Sequence, residues 1–314
     1  DSSPAIGPDG TIYVVETGAG NFLHALKPNG EYAWRQTVNL GFGSGSTIPA
    51  IDDNGTPLNF SDDVIFIGGN RLHKLNAEDG SELDSWPSAP TSGATWSGTI
   101  NNAPVIYNGV VYALNSSGDI VAFDIATNTT GIPNRRYDTV NTVMAGGLAI
   151  AGDGTIYAGM GMKLYAFTDS GTAITPKATF QGTGVGDGPG VSTLGGSMMN
   201  STPVVDSDGV VYIGSSDTYF YAVGPDGVID WKYKTAGFMG GAAAIADDGT
   251  LYIPSSMYYL YALSSPPAPS PGAAPLTADW PLFGRFYGRA GSHDTASVSA
   301  SPVIKFDVNP VLYG

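Results

Sequence analysis

One module recurs along the chain, and it limits the fold more than any other feature. Each copy starts on small residues and Pro, then runs through an apolar stretch to an Asp-Gly turn. An apolar-aromatic-apolar segment follows, then a Gly/Ser-rich turn, an aromatic-Ala-Leu segment and a second Asp-Gly or Asn-Gly turn. A Trp often lies just beyond. The clearest copy, residues 201–237, reads STPVVDSDG, VVYIGSSD, TYFYAVGPDG, VIDWKYKTAG. The first copy matches it with SSPAIGPDG, TIYVVETG, NFLHALKPNG, EYAWRQ. Four looser copies begin near Ile48-Pro49, Ala103-Pro104, Gly147-Leu148 and Ala242-Ala243. The second-segment aromatics are Tyr13, Phe66, Tyr112, Tyr157, Tyr212 and Tyr252, roughly 40 to 55 residues apart, a period typical of repeat architectures. The third segments carry His24-Ala25-Leu26, His73-Lys74-Leu75, Val121-Ala122-Phe123, Tyr165-Ala166-Phe167, Tyr221-Ala222-Val223 and Tyr261-Ala262-Leu263. Trp34, Trp86, Trp231 and Trp280 stand at the fourth-segment position, and the third and fourth copies lack a Trp there.

Four short segments separated by turn chemistry predict four antiparallel strands per copy, with Asp-Gly and Asn-Gly supplying the positive φ of tight hairpins. A twisted four-stranded sheet with two apolar faces cannot bury both alone. Packing such sheets face to face around a ring buries both and leaves only short edges. The small third-strand residue lets neighbouring sheets approach, and the outer Trp is placed to cover the joint between them. The expectation is an all-β chain, a β-propeller of four-stranded antiparallel blades with six recognisable repeats, six to eight blades fitting the length. The repeats lie near 1–46, 47–100, 101–145, 146–199, 200–239 and 240–296, one propeller domain over 1–296. The Pro/Ala/Ser-rich stretch 264–278 reads as a surface insert before Trp280. Residues 297–314 read as a C-terminal strand or ring-closing tail, because Ser301-Pro302-Val303-Ile304 looks like the start of another innermost strand.

Over roughly residues 1–263 the motif Asp-Gly-x-Val-Tyr-x-Gly, then Tyr-Ala-(Leu/Val), then Asp-Gly-x-x-x-Trp resembles the repeat of the PQQ-like (quinoprotein-type) propeller family. Trp280-Pro281-Leu282-Phe283-Gly284, ending in Arg289-Ala290-Gly291, is similar to a Trp-Pro-x-Phe segment common in that family. The resemblance implies the fold and leaves the task open, since this architecture hosts many. Its dehydrogenases bind a quinone with calcium above the ring, and many use a vicinal cysteine pair, a stacked Trp and a catalytic Asp. This chain has no cysteine and no segment that aligns with the catalytic Asp. Neither PQQ nor calcium is supported by a motif, so no cofactor and no catalytic residue is expected.

Composition narrows the classes further. The formal net charge is −15, which disfavours nucleic acid and anionic membranes as partners. The absence of cysteine removes disulfides, thiolate metal sites and cysteine nucleophiles. No apolar run reaches membrane-spanning length. The chain opens at Asp1 inside a strand-like motif with no leader, as a processed or partial product would. Asn-x-Ser/Thr sequons at Asn54, Asn59, Asn115, Asn128 and Asn200 lend some support to a periplasmic or extracellular location.

Candidate chemistry is sparse. Asp206-Ser207-Asp208-Gly209 and Asp52-Asp53-Asn54-Gly55 have a calcium-loop flavour but sit at first hairpin turns. His24 and His73 occupy equivalent strand positions, expected at a blade surface, and His293 lies in the tail. The segment 182–190, GTGVGDGPG, lacks the Lys-Ser/Thr of a phosphate loop. It reads as a connection between the fourth and fifth blades and a candidate binding loop. The links into the innermost strands carry Phe42, Trp96, Met144, Met198, Met199, Phe238 and Met239. These either form an adaptable apolar patch at the channel mouth or fill gaps between blades. The leading expectation is a non-catalytic scaffold or protein-binding module whose partner is another envelope or extracellular protein, or a second copy. Alternatives are a quinone- or carbohydrate-binding protein or oxidoreductase using the channel mouth, and an adhesive module of a longer chain.

Overall fold

The computed structural model describes residues 3–264 and 303–308, less 17–21, 37–46, 57–58, 84–98, 129–132, 139–144, 183–187, 197–200 and the single residues 101, 116 and 258. These residues build six antiparallel sheets in chain order. The first holds β1 (Ala5–Ile6), β2 (Ile12–Glu16), β3 (Phe22–Leu26) and β4 (Tyr32–Arg35). The second holds β5 (Ala50–Asp52), β6 (Val64–Ile67) and β7 (His73–Asn76), extended by a Leu75–Glu82 bridge. A short 3-10 turn, Phe60–Asp62, precedes β6. The third has β8 (Val105–Tyr107), β9 (Val110–Leu114), β10 (Ile120–Asp124) and β11 (Arg135–Tyr137). The fourth has β12 (Ala145–Ile150), β13 (Ile156–Met160), β14 (Lys163–Asp169), β15 (Ile174–Pro176) and β16 (Val191–Thr193). The fifth has β17 (Val204–Val205), β18 (Val211–Gly214), β19 (Tyr219–Val223) and β20 (Ile229–Lys234). The sixth has β21 (Ala244–Ile245), β22 (Leu251–Pro254), β23 (Leu260–Ser264) and β24 (Val303–Val308).

The turn chemistry of the module closes each first hairpin. In the first sheet Gly7 N–H donates to the Thr11 carbonyl at 2.8 Å, and Gly10, at φ 83°, donates back to Gly7 at 3.0 Å. Asp9 Oδ1 accepts the Thr11 N–H at 2.8 Å and holds the turn from the side. The same arrangement returns around Asp153 and Asp248.

Register then repeats. The second-strand aromatic faces the third-strand small residue in five sheets: Tyr13 opposite Ala25, Tyr112 opposite Ala122, Tyr157 opposite Ala166, Tyr212 opposite Ala222 and Tyr252 opposite Ala262. In the second sheet Phe66 faces Lys74, whose ammonium sits 5.7 Å from the ring centroid.

Burial falls between the sheets. Five apolar clusters each draw residues from two consecutive sheets, from Leu23 and Ile65 across the first joint to Tyr212 and Leu251 across the fifth. The inner strands follow suit, with β8 against β5 and β12, and β12 against β17. Each fully buried Leu, Ile, Val or Phe contributes about 1.5–3 kcal/mol, so these joints hold the sheets together.

Two elements differ from expectation. The fourth strand of the sixth sheet is β24, drawn from the C-terminal tail, with Phe306 paired to Ala262. Val303 and Ile304 therefore lie in an outer strand and not an innermost one, and the Trp280 segment lies outside the described residues. Alternating apolar residues fit a strand at either edge, so the pattern of residues 301–304 did not carry its place. The Gly-rich stretch 182–190 is likewise not a link between sheets. It lies between β15 and β16, which pair with different halves of the same edge of β14. Its ends are tied where Gly182 N–H donates to Val191 and Gly190 N–H to Phe180, both at 2.6 Å.

Candidate functional site

Of the seven residues expected around a channel mouth, Phe42, Trp96, Met144, Met198 and Met199 lie outside the described residues. The other two are adjacent in sequence and opposite in role. Met239 is buried, packed against Gly214 among Trp231, Leu251 and Tyr261 at the joint between the fifth and sixth sheets. It fills a gap between blades. Phe238 points outward and is 53% exposed.

Phe238 has company. Its carbonyl accepts the Ser256 N–H at 3.1 Å, which sets it beside Met257 in the β22–β23 turn, 55% exposed. Met162, in the β13–β14 turn, is 54% exposed. In an antiparallel sheet the second-to-third turn and the link to the next sheet emerge at the same end. All three apolar side chains therefore belong to one face. Phe and Met are large, adaptable side chains, and here they are exposed to solvent at that end of the sheets. The cue for Phe238 was in the link pattern, whereas Met162 and Met257 sit in turns that the sequence pattern marked only as Gly/Ser-rich.

The outer-strand position opposite the third-strand Ala reaches the joints between sheets. Trp34 faces Ala25 and Trp231 faces Ala222. Trp34 Nε1 donates to the Ala77 carbonyl of the second sheet at 3.0 Å, and its indole lies 5.9 Å from the Tyr13 ring. Trp231 packs into the joint with the sixth sheet. Both cover a joint between sheets. Trp86 and Trp280 lie outside the described residues.

The third and fourth sheets put a cation where the first and fifth put Trp. Arg135 pairs with Ala122, and Lys177 N–H donates to the Ala166 carbonyl at 2.8 Å. Arg135 is 5% exposed. Its Nη2 and Nη1 donate to Asp124 at 2.7 and 3.0 Å, and its Nε donates across the joint to Asp169 Oδ2 at 2.8 Å. Tyr112 O–H donates to the same Asp169 oxygen at 2.8 Å. The Asp124 and Asp169 bonds hold the guanidinium protonated with its pKa raised further, against the opposing pull of burial. Burial, with Asp169 beside it, also pushes the Tyr112 phenol upward. Lys177 Nζ donates to Asp153 Oδ2 at 3.0 Å and to Thr155 Oγ1 at 2.5 Å. These are structural ties, and sequence reasoning missed them because it looked for a repeat of Trp.

The titratable residues singled out by sequence are absorbed by the fold. His24 is half-buried on β3, with Nε2 2.9 Å from Glu16. His73 was expected at a blade surface and is instead fully buried. Glu82 meets its Nδ1 at 2.8 Å and Asn70 its Nε2 at 3.0 Å, and these partners make burial tolerable. The hydrogen bond from His73 lowers the Glu82 pKa, against burial, with help from Arg71. Asp206 turns its carboxylate inward: Oδ1 accepts the N–H groups of Asp208 and Val210 at 3.0 and 2.9 Å, and Oδ2 accepts the Tyr212 O–H at 2.8 Å. Two sequons are likewise internal: Asn115 and Asn128 are buried, with their side-chain N–H groups donated to Asp119 at 2.9 Å and Asn134 at 2.6 Å.

Against known proteins, a family model described as outer membrane protein assembly factor BamB matches residues 8–145. No curated protein matches the chain. Among solved structures, BamB from Moraxella catarrhalis matches with a TM-score of 0.54 and 18% identity, over 80% of this chain and 68% of that one. In all, 1069 chains of known structure match, and so widely used a fold does not single out one activity. With the repeated register and the joints between consecutive sheets, these likenesses show a β-propeller fold, whose residues 8–145 match the PQQ-like repeat model.

Proposed function

We propose that the chain is a non-catalytic, exported protein-binding propeller that docks a cell-envelope or extracellular partner on the face carrying Phe238, Met257 and Met162. The observation that carries this reading is the exposure of Phe238 and Met257 side by side on a five-times-repeated packing scheme. The match to a family described as an outer membrane assembly factor supports a protein partner and an envelope location. Such a role needs no cofactor. The buried titratable clusters around Arg135 and His73 are closed by their own partners, as structural groups are.

A photo-crosslinking residue at position 238, in the cells that produce the protein, tests the reading. A discrete protein adduct is expected at 238, lost when Met257→Ser is added. The same probe at Val228, exposed in the third-to-fourth turn at the other end of the fifth sheet, should give none. Equal adducts at both positions, or none at 238, would refute the docking face.

A further inference from the structure

A cleft of about 600 Å³ opens between the first and second sheets. Tyr13, Trp34 and Ala77 contribute its apolar lining, and Asp9, Asp63 and Glu78 its charge. It lies among the first-to-second and third-to-fourth turns, at the opposite end of the sheets from the Phe238 face, and so stands apart from the docking reading above.

Asp63 gives the cleft its character. The residue is 3% exposed, and its Oδ1 has no hydrogen-bond partner. Its backbone is pinned, since the carbonyl accepts the Ala77 N–H at 3.0 Å. A buried carboxylate oxygen without a partner is costly, and the surroundings aggravate the cost. Burial first, then the carboxylates of Asp53, Asp62, Asp9 and Asp52, push Asp63 up to about 6. Lys27 is the cation that lines the cleft, and it is engaged 3.5 Å from Glu31. The lining therefore holds more carboxylates than cations.

The cleft's shape says which cation fits. The volume is far too large for a bare ion, and among the described residues no group of three His, Cys, Asp or Glu is placed to hold a metal. Next to the carboxylates stands an indole already oriented by its bond to Ala77. A planar cation that donates several hydrogen bonds in its plane and stacks on an aromatic face fits both features.

We propose that this cleft receives the guanidinium of an arginine side chain from a partner protein, with Asp63 and Asp9 accepting its N–H groups and Trp34 taking its face. The test is titration of the full chain, labelled with ¹⁵N at its tryptophans, with acetyl-Gly-Arg-Gly-amide and with its citrulline counterpart, which keeps the shape without the charge. The arginine peptide should move the Trp34 indole N–H signal and the citrulline peptide should not. A lysine peptide should bind at least five-fold more weakly, and Asp63→Asn should weaken arginine binding more than ten-fold while the Tm does not fall. Lowering the pH from 7.5 to 5 should weaken binding, because Asp63, facing Asp9, Asp52, Asp53 and Asp62, takes up a proton. Phe238→Ser should leave it unchanged. Equal responses to arginine and citrulline or to arginine and lysine, no response to any, or a full response in Asp63→Asn would overturn the proposal.

Discussion

Removing the Arg135 guanidinium tests the account of the joint between the third and fourth blades most directly. In Arg135→Met, Asp169 loses its only charged partner among the described residues while staying 6% exposed. Asp124, 31% exposed, is rescued in part by water. Breaking a buried ion pair from one side costs about 3–5 kcal/mol, most of it from the stranded charge. In a chain this long that is a fall in Tm on the order of 10 °C. The loss should be separable from simple loss of attraction. Asp169→Asn keeps an acceptor for Tyr112 and removes the charge, so Arg135→Met with Asp169→Asn should recover more than half of the lost stability. Arg135→Lys should fall between, since one ammonium cannot reach both carboxylates as a fork does. Differential scanning calorimetry of the four proteins at one pH and salt reads this. A single variant that loses less than about 1 kcal/mol, the range of exposed pairs, would refute the reasoning, as would a double variant no more stable than the single.

Two further outcomes follow from the first joint. Gly80 sits at φ 72°, and a methyl there would lie 2.5 Å from Trp34 Cε3. Gly80→Ala should cost about 1–3 kcal/mol more than Gly30→Ala, because Gly30, at φ 84°, has open space around it; similar losses by thermal melts would show that Trp34 is not wedged there. Because Asp63 is raised from 3.8 to about 6, its folded state holds a proton more tightly than the unfolded chain does. Its ionisation therefore removes stability as pH rises from 3.8 through 6, by about 3 kcal/mol at most. Asp63→Asn should be more stable than the parent at pH 7, with the difference shrinking toward pH 4; denaturant melts across that range that show no gain at pH 7 would contradict an unpaired carboxylate oxygen.

The repeating order of apolar, turn and aromatic residues was enough to set the strands, their hairpins and the packing of consecutive sheets. Those depend on contacts close in sequence and on a period that every copy shares. The pairing of Tyr with Ala across β2 and β3, or β18 and β19, was already written in where each motif begins. What occupies the outer edge was not. Arg135 and Lys177 stand in the register of Trp34 and Trp231 because a joint needs a large side chain that reaches outward, and either an indole or a paired cation meets that need. Only coordinates show that Asp169 waits on the next blade to receive one. Phe238 and Met239 look alike in a window of sequence, but successive residues turn opposite ways, so one seals a joint and the other faces solvent. The sixth sheet took its last strand from the distant tail, and β16 returned to β14 after a long excursion, because an open edge accepts any chain that can satisfy its hydrogen bonds. The burial of an Asp63 carboxylate oxygen without a partner is likewise a property of two blades meeting. Local chemistry determined the blades, and the way their surfaces meet decided which side chains are sealed in a joint and which face solvent.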